Sequence, residues 1–255
     1  MTRYTRRPLI WLGVVVALVF FLAPRLLAAE AIPGINISIG GEDGDLGQSI
    51  PLLVLLTVLT LVPSILVLTT SFTRIVIVLG FTRNAMGTQN MPPNQVITGL
   101  ALILTFFLMS PTLTLVYETA WQPYSAGTIE LDEALSRAEI PVKDFMLRQT
   151  YDDDVMLFAN FAQVDLSEVT ASAEVPFRIA LPAFIISELK TAFIMGFMIY
   201  IPFLIIDMVV ASTLMSMGMM MLPPVMISLP FKVMLFTLVN GWHLVVDSIL
   251  RSFLQ

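Results

Sequence analysis

The stretch "ELKTAFIMGFMIYIPFLIIDMVVASTLMSMGMMMLPPVMISLPFK", from Glu188 to Lys232, decides the fold of this 255-residue chain. It holds two long apolar runs joined by a methionine-rich bend that ends at two prolines. A helix needs about 20 mostly apolar residues to cross a bilayer, and each run is long enough once the second continues toward the chain end. We therefore expect residues 185–255 to form a membrane-type helical hairpin.

Charged side chains inside this hairpin predict how its two arms face each other. If the chain folds back near residues 219 and 220, Asp207 lies opposite Lys232. An unpaired charge at a bilayer centre costs about 2.5–3.5 kcal/mol on insertion scales, which favours pairing over snorkelling toward the headgroups. The same register predicts two further contacts, Glu188 with Arg251 and Lys190 with Asp247.

The bend itself, Met215 to Pro224, reads MSMGMMMLPP and holds five methionines in ten residues. One explanation is core filling, because methionine is unbranched and fits irregular gaps. The other is a deformable seal, because a narrow apolar constriction resists wetting. Gly218 and the two prolines favour a bend over a rigid helix, and both explanations remain open at this point.

Composition narrows the class of protein. The chain is 57% hydrophobic and 13% charged, with a mean hydropathy of +0.87, whereas soluble domains carry about 25% charged residues. It has no cysteine and one histidine, so neither a thiol nucleophile nor a Cys- or His-rich metal site is expected. The net charge of −6 argues against a nucleic-acid surface. No catalytic constellation or P-loop is present, so we expect no enzyme activity and no cofactor.

The first 120 residues predict a signal, a linker and a first apolar hairpin. Residues 1–31 have arginines before an apolar run and small residues near Ala29, typical of a cleaved secretory signal, with an uncleaved anchor as the alternative. Residues 32–48 read as an extracytoplasmic linker. Residues 49–120 carry two long apolar runs, the first kinked at Pro63. Arg74 lies inside this first run and must pair, snorkel or face a protein interior. A turn joins the runs, and its candidate residues are Arg83, Asn84, Pro92, Pro93 and Asn94.

Residues 121–184 change character, with eleven acidic and four basic residues. Cytoplasmic loops tend to be rich in Lys and Arg, so an acidic segment fits the periplasmic side better. Helical spacing predicts short amphipathic helices, one opened by Pro141, with Asp152–Asp154 as a solvated turn. Their expected apolar faces contain Phe145, Met146, Leu157, Phe158 and Phe161. The predicted fold is therefore all-α and membrane-associated, with about four long apolar helices in two kinked hairpins around an acidic, short-helix extracytoplasmic insertion.

Two stretches, Arg83–Val96 ("RNAMGTQNMPPNQV") and Glu188–Lys232, resemble the FliP, SctR and YscR family of type III secretion export-gate subunits. The resemblance covers nearly all of the chain after the signal and is looser over 121–184. It implies a ring of identical subunits, understood as a pentamer, joined to FliQ-like and FliR-like partners in the inner membrane of the flagellar basal body. The assembled helices would form a tilted, largely extramembrane cone through which export substrates pass.

The resemblance also assigns residues. The family's methionine gasket maps onto Met219, Met220 and Met221, with Met215, Met217 and Gly218 in support. A glutamate and a lysine pair between neighbouring subunits in the family, which matches Glu188 and Lys232 here and competes with the in-chain pair of Lys232 and Asp207.

The expected function is thus a pore-forming core subunit of the flagellar export gate, with a Met-rich constriction as its seal. A homologous subunit of a virulence type III secretion system is the first alternative. A secondary ion or solute transporter is the second, because broken helices and buried charges also suit that class. The absence of an evident internal repeat in the sequence argues against a transporter.

Overall fold

The computed structural model describes residues 67–88, 91–166, 174–219 and 222–254, together with positions 57, 60, 64 and 65. The chain divides into two units, Met1–Leu59 and Thr60–Gln255, and Thr57 alone represents the first among the described residues. The predicted signal (1–31), the linker (32–48), the kink at Pro63 and two gasket residues, Met220 and Met221, lie outside the described residues.

The described part of the chain is helical and contains no strand. Its α-helices are α1 (Phe72–Ala85), α2 (Asn94–Val116), α3 (Gln122–Ser125), α4 (Leu131–Arg148), α5 (Asp152–Phe161), α6 (Phe177–Ser216), α7 (Pro224–Leu238) and α8 (Gly241–Arg251). A π-helix, Tyr117–Trp121, joins α2 to α3. Among the described residues, two continuous helical stretches are long and apolar enough to cross a membrane, Asn94–Ser125 and Phe177–Ser216. The pair α7 and α8, bent by 64°, would be a third.

The main core forms around α1, which packs against α6, α2 and α8. Ile75, Val78 and Leu79 are fully buried at the i, i+3, i+4 spacing of one helix face. On α6, Gly196 allows a close approach, because a Cβ there would lie 2.5 Å from the Phe81 ring. This contact brings the first apolar helix onto the last long one.

A second core joins the acidic segment to the beginning of α6. Met146 of α4 and Ala159 of α5 are buried there against Ile179, Ala180 and Phe184 of α6. The first turns of α6 therefore support the acidic segment, and its later turns support α1 and α7.

Three expectations for the acidic segment are wrong. Pro141 does not open a helix but lies inside α4, where the missing N–H costs one hydrogen bond and the packing of α4 on the second core compensates. Leu157 and Phe161 are 44% and 82% exposed. The buried face of α5 instead follows Val155, Phe158 and Ala159, again at i, i+3, i+4. By contrast, the predicted apolar residues Phe145, Met146 and Phe158 do pack into this core.

The second arm of the predicted hairpin is broken. α7 ends at Leu238, and Asn240 takes a left-handed conformation with φ of 53° before α8 begins at Gly241. Asn followed by Gly is a turn signal, because both residues tolerate positive φ. The register of α6 against α7 therefore does not continue into α8.

Candidate functional site

α6 ends at the methionine-rich bend through hydrogen bonds of the chain's own backbone. The Met219 N–H donates to the Leu214 carbonyl at 3.0 Å, and the Gly218 N–H donates to the Met215 carbonyl at 3.0 Å. Gly218 has φ of 73°. This pair of bonds around a left-handed residue is the Schellman motif, which favours glycine at that position. Gly218 therefore stops α6 and turns the chain toward Pro223, after which α7 begins.

The described methionines of the bend are exposed rather than packed into the chain's core. Met215 is 56% exposed, Met217 71% and Met219 44%. Of the three predicted gasket residues, Met219 is the one within the described residues. For these three side chains, core filling is therefore the wrong explanation.

Asp207 and Lys232 meet across α6 and α7. Lys232 Nζ donates to Asp207 Oδ2 at 2.6 Å, and the Ser228 hydroxyl donates to Asp207 Oδ1 at 2.5 Å. Lys232 is 2% exposed, whereas the Asp207 side chain keeps 29% of its surface exposed. The in-chain contact predicted from the fold-back register is therefore present, and its role in function stays a prediction.

The turn between α1 and α2 lies next to the same lysine. A Cβ placed on Gly87, which has φ of 74°, would lie 3.8 Å from Lys232 Nζ. Arg83 donates from Nη1 to Asn94 Oδ1 and so joins the two ends of this turn. The Pro93 carbonyl accepts the Val96 N–H at 3.0 Å at the start of α2.

The remaining turn residues contribute locally. The carbonyl of Asn84 accepts the Gly87 N–H at 3.0 Å, which closes the end of α1. Pro92 lines a shallow apolar groove with Leu79, Val96 and Trp242. The turn thus connects α1, α2 and α8 as well as covering the Asp207–Lys232 pair.

Glu188 is fully buried and pairs with Arg74 of α1, not with Arg251 as predicted. Arg74 donates from Nε to Glu188 Oε2 at 3.0 Å and from Nη2 to Glu188 Oε1. Both carboxylate oxygens are therefore occupied within one chain. The pair of Glu188 with Lys232 of a neighbouring subunit, which the resemblance implies, stays a prediction and would require this arrangement to change.

The residues predicted to face Glu188 and Lys190, which are Arg251 and Asp247, pair with each other instead. Arg251 pairs with Asp247 one turn earlier in α8, with Nε 2.7 Å from Oδ2. Lys190 lies with its Nζ 4.2 Å from the centre of the Tyr151 ring. Both predictions failed because the break at Asn240 redirects the chain before Asp247 and Arg251.

A second polar contact was not foreseen from the sequence. Ser187 donates its hydroxyl to Asp154 Oδ2 at 2.6 Å and accepts the Tyr151 N–H at 3.1 Å. Asp152, Asp153 and Asp154 form the first turn of α5, where negative charge is stabilised by the helix dipole. In the described residues, no group of three or more His, Cys, Asp or Glu side chains could hold a metal ion.

Comparison with known proteins places this geometry in a family. The FliP family model matches residues 55–249, a range that holds the bend, the Arg74–Glu188 and Asp207–Lys232 pairs and the turn between α1 and α2. The chain is 56% identical over 219 residues to the flagellar biosynthetic protein FliP of Bacillus subtilis (strain 168), a match that covers 86% of this chain and 98% of that protein.

Two other relatives carry the same name. The FliP of Pectobacterium carotovorum subsp. carotovorum is 52% identical over 236 residues, covering 91% of this chain and 89% of that protein. The FliP of Aquifex aeolicus (strain VF5) is 51% identical over 222 residues, covering 87% of this chain and 92% of that protein. With half of its residues shared over nearly the full length of such relatives, this chain belongs to the FliP family.

Proposed function

We propose that this chain is a pore-forming core subunit of the flagellar type III secretion export gate. Several copies, expected as a pentamer, join FliQ-like and FliR-like subunits at the inner membrane of the flagellar basal body. Unfolded flagellar proteins pass through the shared pore. The relatives named flagellar biosynthetic protein FliP support the flagellar assignment over a virulence secretion system.

The methionine bend carries the proposal of a seal. Met215, Met217 and Met219 are apolar, flexible and 44–71% exposed at a helix end that Gly218 fixes. Side chains of this kind, brought together by several copies around one axis, form a constriction that excludes water and yet deforms around a polypeptide. Met220 and Met221 complete the gasket in this proposal.

The outer faces of α6 and α7 are apolar surfaces that contact partner subunits or lipid around each copy. Phe193, Phe197 and Met198 of α6 are 56%, 64% and 64% exposed, and Phe231 of α7 is 50% exposed. Contiguous apolar surface of this kind marks a protein or membrane contact. Neighbouring copies, FliQ-like and FliR-like subunits and lipid tails are the occupants that the proposal assigns to these faces.

The contact of α5 with α6 favours the cone over four ordinary membrane spans. Asp152 and Asp153 are exposed, and the neighbouring Tyr151 and Asp154 bind Ser187 within α6. Exposed carboxylates at this level of α6 are costly in hydrocarbon. We therefore place the acidic segment and the first turns of α6 on the periplasmic side. In this proposal, the arrangement of four apolar helices in two kinked hairpins applies to the chain as it inserts into the membrane and not to the assembled complex.

Ion leak and export together test the seal. Replacing Met219, Met220 and Met221 by alanine removes apolar bulk from the constriction and is expected to raise ion leak across the inner membrane. Met156→Ala, which removes an equally flexible side chain, 53% exposed on α5 and away from the bend, is the matched control and should leave the leak unchanged. Unchanged leak with normal flagellar export in the triple variant would exclude the gasket.

A deletion strain separates the competing functions. Loss of the chain should abolish filament export and leave solute uptake intact if it is a flagellar gate subunit. Loss of solute uptake would indicate a transporter, and loss of effector secretion with normal filaments would indicate a virulence system. The chain should also require FliQ-like and FliR-like partners for activity, whereas a transporter functions alone or as a small homo-oligomer.

A further inference from the structure

We propose that the tail segment after α8, Ser252 and Phe253, is a positioning element that holds the Arg74 guanidinium on Glu188 and couples the two cores of the chain. The inference rests on the surroundings of Arg74 and does not depend on the proposed function. In sequence, the tail is 178 residues away from Arg74.

The hydrogen bonds of Arg74 account for every N–H group of its guanidinium, which has five. Two go to Glu188, from Nε and Nη2, and a third goes from Nη2 to Gln149 Oε1 at 3.2 Å. The last two leave Nη1 for the Ser252 carbonyl and the Ser252 hydroxyl oxygen, each at 3.0 Å. The tail therefore supplies both partners of one guanidinium nitrogen.

The hydrogen-bond directions around the tail are mutually consistent. Ser252 gives its hydroxyl hydrogen to the Ile249 carbonyl at 2.7 Å, so its oxygen is free to accept from Arg74. Gln149 accepts from Arg74 with its oxygen and donates its amide nitrogen to the Phe253 carbonyl at 3.4 Å. The loop between α4 and α5 and the tail thus hold the same cation from two sides.

The Phe253 ring packs against the guanidinium of Arg74. The centre of this ring lies 3.8 Å from Cζ of Arg74, within the range of a cation–π contact. Its other neighbour is Phe145 of α4, stacked at 6.3 Å with 15° between the ring planes. Phe253 packs on the core around α1, and Phe145 on the core around α4 and α5. The tail therefore joins both cores at Arg74, a cation that is 2% exposed.

Removing the tail contacts should leave Arg74 short of partners. A buried charged donor without a partner is strongly disfavoured, so the guanidinium would move toward solvent and release Glu188. Aromaticity and apolar volume can be separated at Phe253. Phe253→Leu keeps an apolar side chain without a ring, whereas Phe253→Tyr keeps the ring face.

Phenylglyoxal modifies accessible arginines, so its reaction rate at Arg74 measures whether the guanidinium is held in the site. The rate is read by peptide mass spectrometry on the full chain extracted with its partners. Phe253→Leu should raise the rate at Arg74 by about tenfold, the factor expected for one interaction with a charged group. Phe253→Tyr should restore the protection of Arg74. Leu254→Ala, at a side chain 82% exposed, is the matched control and should leave the modification rate of Arg74 unchanged.

Two reference residues show whether the fold is intact. Arg137, exposed on α4, should react at the same rate in every variant, and Lys143, 5% exposed on the same helix, should stay protected from acetylation. Should Phe253→Leu expose Lys143 as well, Ser252→Ala provides the second test, because it removes the two hydrogen bonds of the hydroxyl, from Arg74 and to the Ile249 carbonyl, and leaves the ring. Wild-type protection of Arg74 in both Phe253→Leu and Ser252→Ala, or equal reactivity in the Leu and Tyr variants, would overturn the proposal.

Discussion

Among the described residues, Arg74 and Lys232 are the most deeply buried cations, each 2% exposed. Each is held by one carboxylate of α6, Glu188 or Asp207, and Arg74 is held in addition by Gln149 and Ser252. Burial of a charge is tolerated when its hydrogen bonds are satisfied, and breaking such a pair by removing one partner leaves a charge without compensation. The two pairs therefore hold α1 and α7 on α6.

Glu188→Gln should lower the free energy of unfolding by about 3–5 kcal/mol, because Arg74 would remain buried without its counter-charge. Glu133→Gln is the matched control, since Glu133 forms an exposed pair with Arg137 one turn away and should change stability by less than about 1 kcal/mol. Thermal unfolding in mild detergent, followed by circular dichroism, gives both values. Equal effects of the two substitutions would contradict the importance of the buried pair.

Asp207→Asn should destabilise less than Glu188→Gln, by about 2 kcal/mol, because Asp207 is partly exposed and its pair with Lys232 is therefore less completely desolvated. The double variant Asp207→Asn with Lys232→Met should recover part of the loss, since it removes both charges. Asp247→Asn, in the exposed pair with Arg251, is the control. No recovery in the double variant would mean that Lys232 is held by something other than Asp207.

The sequence predicted one of these pairs and missed the other for a physical reason. Asp207 and Lys232 are joined by a single bend, so a local register is enough to place them together. Arg74 and Glu188 are 114 residues apart, and their contact depends on how α1 packs on α6. The apolar context of Arg74 indicated that it needed a partner, but no local pattern named Glu188.

Among the helices, two glycines determine how α6 ends and how it packs. Gly218 stops α6 through its positive φ, and a Cβ built on it would meet open space. Gly196 instead makes room for Phe81 of α1. Helix ends and close helix contacts are the two settings in which the absence of a Cβ is required.

Gly218→Ala should destabilise the chain by about 1–2 kcal/mol, the cost of a left-handed conformation for a residue with a Cβ. Gly99→Ala is the matched control, because its Cβ would also meet open space but within the helical α2. There alanine should stabilise by about 0.5–1 kcal/mol. The same sign for both substitutions in thermal unfolding would contradict the role of the Gly218 conformation.

Gly196→Ala should destabilise by about 1–3 kcal/mol, because the new methyl group would overlap the Phe81 ring in the α1–α6 contact. Phe81→Leu in the same chain should return part of the stability by vacating that space. A double-mutant cycle measured by thermal unfolding tests this coupling. Additive effects of the two substitutions would show that the helices do not meet here.

Much of the helical organisation could be predicted from apolar run lengths, because an uncharged run of this length has few other folds. The beginning of α4 and the face of α5 could not, because tertiary packing tolerated Pro141 and selected Ala159 over Leu157. The break at Asn240 had a signal, the Asn-Gly pair, which the length of the apolar run concealed. Contacts between distant helices needed the structure.

The chain as a whole presents more apolar surface than it can bury alone, from Phe107 on α2 to Phe197 on α6 and Leu238 on α7, which are 65%, 64% and 76% exposed. The stretch Asn94–Ser125, which contains α2, and α6 are each long enough to cross a membrane, and α7 is so only together with α8. The proposal of a ring follows from this surface together with the exposed methionine bend.

Electron microscopy of the complex extracted in mild detergent tests that proposal most directly. We expect a ring of several copies of this chain with FliQ-like and FliR-like partners, in which Met219 of each copy approaches the central axis and closes the opening. A monomeric particle, or a ring in which the bends lie away from the axis, would contradict it.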